Sequence, residues 1–382
     1  MRTINRNITN YYFAFFASYI PVSAFAIGFT VEDTEVDVYG YTKLDVIYDA
    51  DVDMGVAVNP AVIDVSGQRS ENSLTMHAQQ SRLGFNTHTQ IGEDQVKTKI
   101  EGDFLGGAFR LRHAYGEWNG ILAGQTWTNL RGMISEAPTV NFVRRVGSIG
   151  ARQTQLRYTS GNFSASLEDP NGMGGNELAF NPGFTELSQS TIPDVVVRYT
   201  DRSNLIKYSF ASVVRHLEFD SGQNPSQTNP NISEDTAIAW GLHLEAAYSF
   251  TPDITVRGGV VHGSGLGGYV DTNPAASAYL DLNSGNLETI DVTGLVLGVS
   301  YNVGPGSINL IHQSVTADID AALANSNYSS QDENYMSNYI NYIWSPVKNV
   351  SFGAEAGLHE RELANGNDGT ALRLQTMAMF KF

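Results

Sequence analysis

The chain ends on the segment Leu372-Arg-Leu-Gln-Thr-Met-Ala-Met-Phe-Lys-Phe382, and no other feature constrains the fold as tightly. Leu372, Leu374, Thr376, Ala378, Phe380 and Phe382 share one face, while Arg373, Gln375, Met377, Met379 and Lys381 share the other. Strand side chains alternate sides with period two, so this is one amphipathic strand. Its length suits a tilted membrane-crossing strand, which needs about 9–11 residues. A soluble sandwich can also end on such a strand, so the rest of the chain has to decide.

Residues 1–26 open with Arg2 and Arg6, continue through an apolar run from Tyr11 to Val22, and close on Ala24-Phe-Ala26. A basic start, a short apolar stretch and a small-x-small site predict a cleavable signal peptide, with residues 27–382 as the mature chain. No later window holds eighteen consecutive apolar residues, which leaves no candidate membrane helix. The terminal phenylalanine resembles the signal by which outer-membrane barrels are recognised for insertion. Export, an amphipathic final strand and no membrane helix together point to the bacterial outer membrane.

Composition agrees. The sequence has 37 Gly, 18 Tyr, 18 Phe and no Cys. A closed barrel needs no disulfides, because strand-to-strand hydrogen bonds around the ring satisfy its backbone in lipid. A net charge of −17 argues against a nucleic-acid partner, which requires a basic footprint.

Strand candidates run the length of the mature chain: 37–49, 75–90, 95–104, 108–118, 120–128, 152–159, 162–168, 194–201, 204–219, 235–250, 253–263, 289–303, 305–315, 333–345, 348–361 and 370–382. Sixteen strands follow. Long connections at 50–74, 129–151, 169–193, 220–234, 264–288 and 316–332 alternate with tight turns such as Asn119-Gly120, Ser160-Gly-Asn162, Thr251-Pro-Asp253 and Gly304-Pro-Gly306. Gly and Asn supply positive φ in such turns, and Pro fixes φ. Short turns at one end and long loops at the other are the pattern of an outer-membrane barrel, here an all-β transmembrane antiparallel β-barrel with both termini on the periplasmic side. Tyr248 and Phe250, Tyr301, Tyr342 and Trp344, and Phe380 and Phe382 stand just before short turns or the terminus, where an interfacial aromatic girdle belongs.

A barrel this size encloses water, so the inward residues decide its function. Lys97, Lys99, Glu101 and Asp103 share one face of their strand. Arg110 and Arg112 oppose Phe109, Leu111 and Tyr115; Gln153, Gln155 and Arg157 oppose Leu156 and Tyr158; Arg82 opposes Leu83 and Phe85. Lipid rejects arginine near the bilayer midplane, so these basic groups face the lumen. Residues 82–157 hold ten basic groups against six acidic ones, whereas the remaining mature chain holds eleven against thirty-four. That basic sector includes the third long connection, 129–151, with Arg131, Arg144 and Arg145. If it folds inward as a constriction loop, arginine on the loop faces arginine on the wall and the ring favours anions. The bland reading pairs these arginines with neighbouring carboxylates such as Glu101 and Asp103.

Several segments resemble the DcaP-like outer-membrane porin family: Tyr39-Gly-Tyr-Thr-Lys-Leu-Asp45, Ser81-Arg-Leu-Gly-Phe85, Lys97-Thr-Lys-Ile-Glu-Gly-Asp-Phe104, Arg110-Leu-Arg-His-Ala-Tyr-Gly116, Ala123-Gly-Gln-Thr-Trp127 and Arg152-Gln-Thr-Gln-Leu-Arg-Tyr158. The resemblance is densest over Tyr39–Tyr158. It implies a sixteen-stranded homotrimeric porin taking up small anionic solutes such as dicarboxylates and aromatic diacids, with Arg82, Arg110, Arg112 and Arg157 on the pore wall. Family members can carry a helical N-terminal extension, and here only about 27–35 precede the first strand. A trimer is therefore expected to form through barrel walls.

Other motifs are weaker. Gly263-Ser-Gly-Leu-Gly-Gly268 fits G-x-G-x-x-G but no helix follows it. Asp49, Asp51 and Asp53 are spaced like a calcium loop, yet position twelve is Pro60, which excludes an EF-hand; a looser divalent-cation site remains open. No cofactor is implied. The acidic loops suit outer-membrane lipid and lipopolysaccharide head groups, bridged by divalent cations. By alternation His113 is expected to face lipid or a neighbouring subunit. Two alternatives stand beside the anion porin: a neutral-solute or sugar porin, for which Tyr39 and Tyr41 are the inward aromatic pair, and a barrel enzyme (lipase or protease), for which no serine or histidine sits in an identifying motif.

Overall fold

The computed structural model describes residues 27–68, 71–141, 145–172, 187–220, 234–281, 283–324, 326 and 330–382; the expected signal peptide lies outside them. Sixteen antiparallel strands close a ring: β1 Thr34–Ala50, β2 Ser73–His77 continuing as Arg82–Ile91, β3 Asp94–Asp103, β4 Arg110–Trp118, β5 Ile121–Trp127, β6 Arg152–Ser160, β7 Phe163–Glu168, β8 Asp194–Arg202, β9 Ile206–Asp220, β10 Glu234–Ser249, β11 Ile254–Ser264, β12 Asp291–Val303, β13 Gly306–Asp318, β14 Asp332–Val347, β15 Val350–Leu363 and β16 Asp368–Lys381. Each strand pairs with the next, and β16 returns to β1 from Tyr41↔Lys381 to Ala50↔Leu372. Phe382 and Gly40 exchange backbone hydrogen bonds of 3.2 and 3.1 Å, so the terminal residue completes the closure. Beyond it, Ile27–Val31 folds back on the start of β1 as a short extra strand.

The distribution of side chains is that of a membrane barrel turned inside out relative to a soluble protein. Leu297, Leu310, Ile340, Leu358, Leu372 and Leu374 are exposed on the outer face, whereas Asn309, Gln313, Ser337, Arg373 and Gln375 are buried within. The outer face needs no polar partner in hydrocarbon, and strand pairing around the closed ring leaves no open sheet edge. The sixteen strands match the sequence-based expectation closely. The main difference is β2, which breaks at Ala78–Ser81 instead of running unbroken from 75 to 90.

The third long loop lies against the inner wall. Wall carboxylates accept its backbone N–H groups in sequence: Asn129 N donates to Glu168 (2.7 Å), Ile134 N and Ser135 N to Glu245 (2.7 and 3.0 Å), Val140 N and Asn141 N to Glu355 (2.9 and 2.7 Å). Each such hydrogen bond contributes about 0.5–1.5 kcal/mol net, so five in sequence fix the loop's path. Ala137 packs with Ile311 and Tyr339, and Lys43 donates to the Val140 carbonyl at 3.0 Å. The return limb presses Gly147 onto β13, where a Cβ would stand 2.0 Å from the Ser314 carbonyl; its φ of +69° also requires glycine. From Glu168 round to Lys43 the loop thus covers the wall formed by β7–β15 and reaches β1. None of these anchors lies on β2–β6, which leaves that arc uncovered by the described loop residues apart from Arg131 against Trp127.

A second inserted segment, Gly265–Ile290, supports this return limb. Arg145 N donates to Asp271 Oδ2 at 3.0 Å, and Gly150 N to the Tyr269 carbonyl at 3.1 Å. Leu130, Val146 and Ile149 join Leu266, Tyr269 and Val270 in an apolar cluster inside the barrel. Tyr269 is wholly buried, and burial together with the Glu168 and Asp194 carboxylates raises its phenol well above the usual range, so it stays a donor.

At the loop mouth Asp49 does not belong to an open acidic triad. Arg373 grips both its oxygens at 2.7 Å, Met54 N donates to it, and both charged side chains are 2% exposed. The Asp49→Ala variant leaves a buried guanidinium unpaired, a change costing about 3–5 kcal/mol. The folded-to-unfolded shift on heating in semi-native electrophoresis should occur at a clearly lower temperature than in the parent; an unchanged transition contradicts the assigned role of this pair.

Candidate functional site

The uncovered arc begins with two carboxylates shared by four cations. Glu101 receives Arg82 Nη1 (3.3 Å), Lys99 Nζ (3.6 Å), Arg112 Nε (3.0 Å) and the Tyr39 hydroxyl (2.8 Å). Asp103 is gripped by Arg110 through Nε and Nη2 (2.9 and 3.0 Å) and reached by Arg112 Nη1 (2.7 Å). The expected pairing with Glu101 and Asp103 therefore exists. It leaves the group with two more positive than negative charges. Arg112 is 4% exposed and sits behind; Arg110, at 39%, meets the aqueous side.

A bulge brings one unexpected side chain into this cluster. Glu101 faces His113 and Gly102 faces Leu111, so Arg112 is an extra residue in β4. The inserted residue shifts the alternation by one, turning both Arg112 and His113 inward and carrying Tyr115 to the inner face opposite Lys99. His113 is 7% exposed, bonds Thr126 Oγ1 at 3.0 Å and stands 3.9 Å from Glu101. The expectation that it faces lipid or a neighbour is wrong for this reason.

Next along the arc, Trp127 collects three guanidiniums. Arg131 lies 3.9 Å from its ring centroid, Arg152 at 4.5 Å and Arg112 at 5.9 Å. An indole face attracts cations and lets several approach without a carboxylate for each. Arg157, on β6, donates to Gln155 Oε1 (2.8 Å) and to the Trp127 carbonyl (2.6 Å); Arg198, on β8, donates to the Arg131 carbonyl (2.7 Å).

The remaining expected residues divide. On the loop, Arg131 and Arg145 both pair with Glu136, a cluster basic by one charge. Arg144 lies outside the described residues. Lys97 stands apart at the short-turn end, opposite Glu117 and beside a recess lined by Glu93, Asp94 and Trp118. Tyr39 and Tyr41 face inward as expected, but Lys99 and Arg82 cover their rings at 5.2 and 5.3 Å.

Sequence reasoning overlooked Trp127, Arg152, Arg198 and the loop anchors Glu168, Glu245 and Glu355. Alternation carries a signal for some of them. Asp194, Val196 and Arg198 share the face opposite Val195, Val197 and Tyr199, so Arg198 is an inward arginine by the argument already applied to Arg157. Nothing in sequence spacing reports which wall carboxylates meet a distant loop.

Removing one of the shared carboxylates should shift the balance of the lumen. A unit charge about 8 Å from a permeating ion changes its energy by roughly 0.5–2 kcal/mol between aqueous and near-surface dielectrics. Glu101→Gln should raise the anion-to-cation permeability ratio about twofold or more, read as the zero-current potential in a planar bilayer under a salt gradient. A fall in that ratio contradicts the assigned geometry.

Comparison with known proteins places the fold. The outer membrane channel DcaP of Acinetobacter baumannii superposes with a TM-score of 0.77 at 22% identity, covering 92% of this chain and 99% of that one. An anion-selective porin from Comamonas acidovorans gives 0.58 at 13% identity, covering 91% and 100%. OmpT of Vibrio cholerae, in its trimer form, gives 0.55 at 12%, covering 91% and 99%. At these identities the likeness bears on the fold alone. Among curated protein sequences nothing matches. A family model described as DcaP outer membrane protein matches residues 17–382, and the chain accordingly belongs to the DcaP outer membrane protein family, a β-barrel of the bacterial outer membrane.

Proposed function

We propose that this barrel is a diffusion porin whose lumen favours small anionic solutes, dicarboxylates among them. The observation that carries the reading is which wall the inserted loop covers. Glu168, Glu245 and Glu355 are buried under loop backbone, while on the uncovered arc Arg82, Lys99, Arg110 and Arg152 keep partial exposure and Glu101 and Asp103 lie enclosed behind them. A rim of surplus guanidinium opposite a loop edge bearing Arg131 and Arg145 attracts anions and repels cations. The related channel of Acinetobacter baumannii and the anion-selective porin of Comamonas acidovorans are consistent with this reading.

The alternatives meet specific obstacles. A sugar porin uses free aromatic faces, and Tyr39 and Tyr41 are covered by Lys99 and Arg82. For an enzyme, Ser337 does bond His359 at 2.8 Å, but both are wholly buried and a Cβ on Gly357 would stand 2.8 Å from the imidazole Nε2, leaving no room for a substrate.

The short strands between β5 and β7 suggest where copies associate. β5 has 7 residues and β7 has 6. At about 3.3 Å per residue and a 45° tilt, seven residues rise roughly 16 Å, less than the apolar band of about 25 Å. A neighbouring barrel covering this low wall, in a homotrimer, relieves the mismatch. The trimer form of Vibrio cholerae OmpT fits such an assembly.

Guanidinium stays charged throughout the biological range, so an arginine filter has no titration between pH 6 and pH 8. The zero-current potential of the purified protein should report anion preference equally at both values, and Arg110→Gln should weaken it. Cation preference, or a preference that disappears at pH 8, contradicts the reading.

A further inference from the structure

We propose that His77 is a proton-operated latch for the tip of the inserted loop: its neutral ring shapes the turn that holds Lys43, and Lys43 holds Val140. The latch acts on the width of the passage and is independent of which ions the lumen prefers.

The chain of contacts starts where β2 breaks. Gln79 N donates to His77 Nδ1 at 3.2 Å, so Nδ1 carries the lone pair and the neutral ring keeps its proton on Nε2. Ser81 N closes the turn on the Ala78 carbonyl at 3.0 Å. The turn sets Gln80, which is buried, against Lys43: Gln80 Oε1 accepts Lys43 Nζ at 2.7 Å, and Ser81 Oγ accepts Lys43 N at 3.0 Å. Lys43 is buried too, and its ammonium gives its other two bonds to Asp45 Oδ1 (2.8 Å) and the Val140 carbonyl (3.0 Å). One loop carbonyl is thus pinned to β1 through a turn whose shape depends on an imidazole lone pair.

A proton on Nδ1 undoes this arrangement. The imidazolium carries N–H at both nitrogens and no longer accepts from Gln79 N, so two donors confront one another and the turn opens at that end. The charged groups facing the ring are Asp45 and Lys43 on β1 and Arg373 on β16, the last held by both oxygens of Asp49. Asp45 stands directly opposite His77 in the strand register. Among the described residues its Oδ2 is buried without a partner, and so is His77 Nε2. The new cation therefore attracts the carboxylate that serves Lys43. The far side of the turn is fixed, because Phe104 N and Gly106 N donate to the Gln79 carbonyl and Oε1, each at 3.1 Å. Movement falls on Gln80 and Ser81, and Lys43 loses Gln80 to the opened turn and Asp45 to the imidazolium. A buried ammonium with one neutral acceptor is costly, so Lys43 leaves Val140 for water. Val140 N and Asn141 N stay on Glu355 at 2.9 and 2.7 Å, so the tip swings from β15 into the passage instead of detaching.

Single-channel recordings of the full-length protein in planar bilayers, in concentrated KCl at pH 7.5 and at pH 5, test the latch. The parent should show partial closures about tenfold more often at pH 5, the scale of one hydrogen bond. His77→Asn tests the ring itself, since an asparagine Oδ1 stands where Nδ1 stood, accepts from Gln79 N and does not titrate. Its closures should stay at the parent's pH 7.5 frequency at both values. Gln80→Ala, which unhooks Lys43 from the turn and leaves every charge in place, should close frequently at both. Closures equally rare at the two pH values in the parent overturn the latch. Acid-induced closures that persist in His77→Asn, or a Gln80→Ala channel as quiet at pH 7.5 as the parent, overturn it as well.

Discussion

The character of this lumen depends on hydrogen bonds from the backbone of one loop to wall carboxylates. Glu168, Glu245 and Glu355 sit on three separate parts of the inner wall, and each accepts N–H groups of the 129–151 loop. A buried carboxylate needs donors, and a loop inside a barrel needs acceptors for amides that find no sheet partner. The two requirements answer each other. At the loop root the polarity is reversed, with Arg157 and Arg198 donating to the carbonyls of Trp127 and Arg131. Alternate use of acidic and basic wall groups fixes where the loop leaves the wall and where it lies.

From that docking follows the sorting of charge. The chain is acidic overall, yet Glu168, Glu245 and Glu355 lie under the loop while Arg82, Lys99 and Arg110 on β2–β4 keep partial exposure. Net charge is therefore a poor guide to selectivity here: −17 describes the whole chain, and the passage meets only the arc left open. Within that arc pairing is partial. Glu101 and Asp103 order Arg82, Lys99, Arg110 and Arg112 without neutralising them. Trp127 performs a similar service for Arg131 and Arg152 through its ring.

The fold was legible in the sequence because a barrel writes itself in period two and in turn chemistry. The terminal strand faces were correct residue by residue, from Leu372 outward to Arg373 inward. Wall arginines were legible too, since lipid excludes them. Legibility failed where one residue breaks the period. The bulge at Arg112 has no marker in Arg110-Leu-Arg-His-Ala-Tyr-Gly116, and it moves His113 and Tyr115 across the sheet. It failed again for long-range docking: Glu355 and Asn141 are 214 residues apart, and alternation can place Glu355 inside without naming its partner. Arg198 was a different failure, because the basic sector was bounded at 157 while the arginine arc continues through β8.

The most direct test removes the loop and keeps the wall. Residues 133–146 replaced by a short Gly-Ser bridge expose Glu245 and Glu355 to the passage and leave every wall arginine in place. The zero-current potential under a salt gradient should then show weaker anion preference together with larger single-channel conductance. Undiminished anion preference in the loopless barrel would contradict the account, because the loop would then have no part in deciding which charges the passage meets.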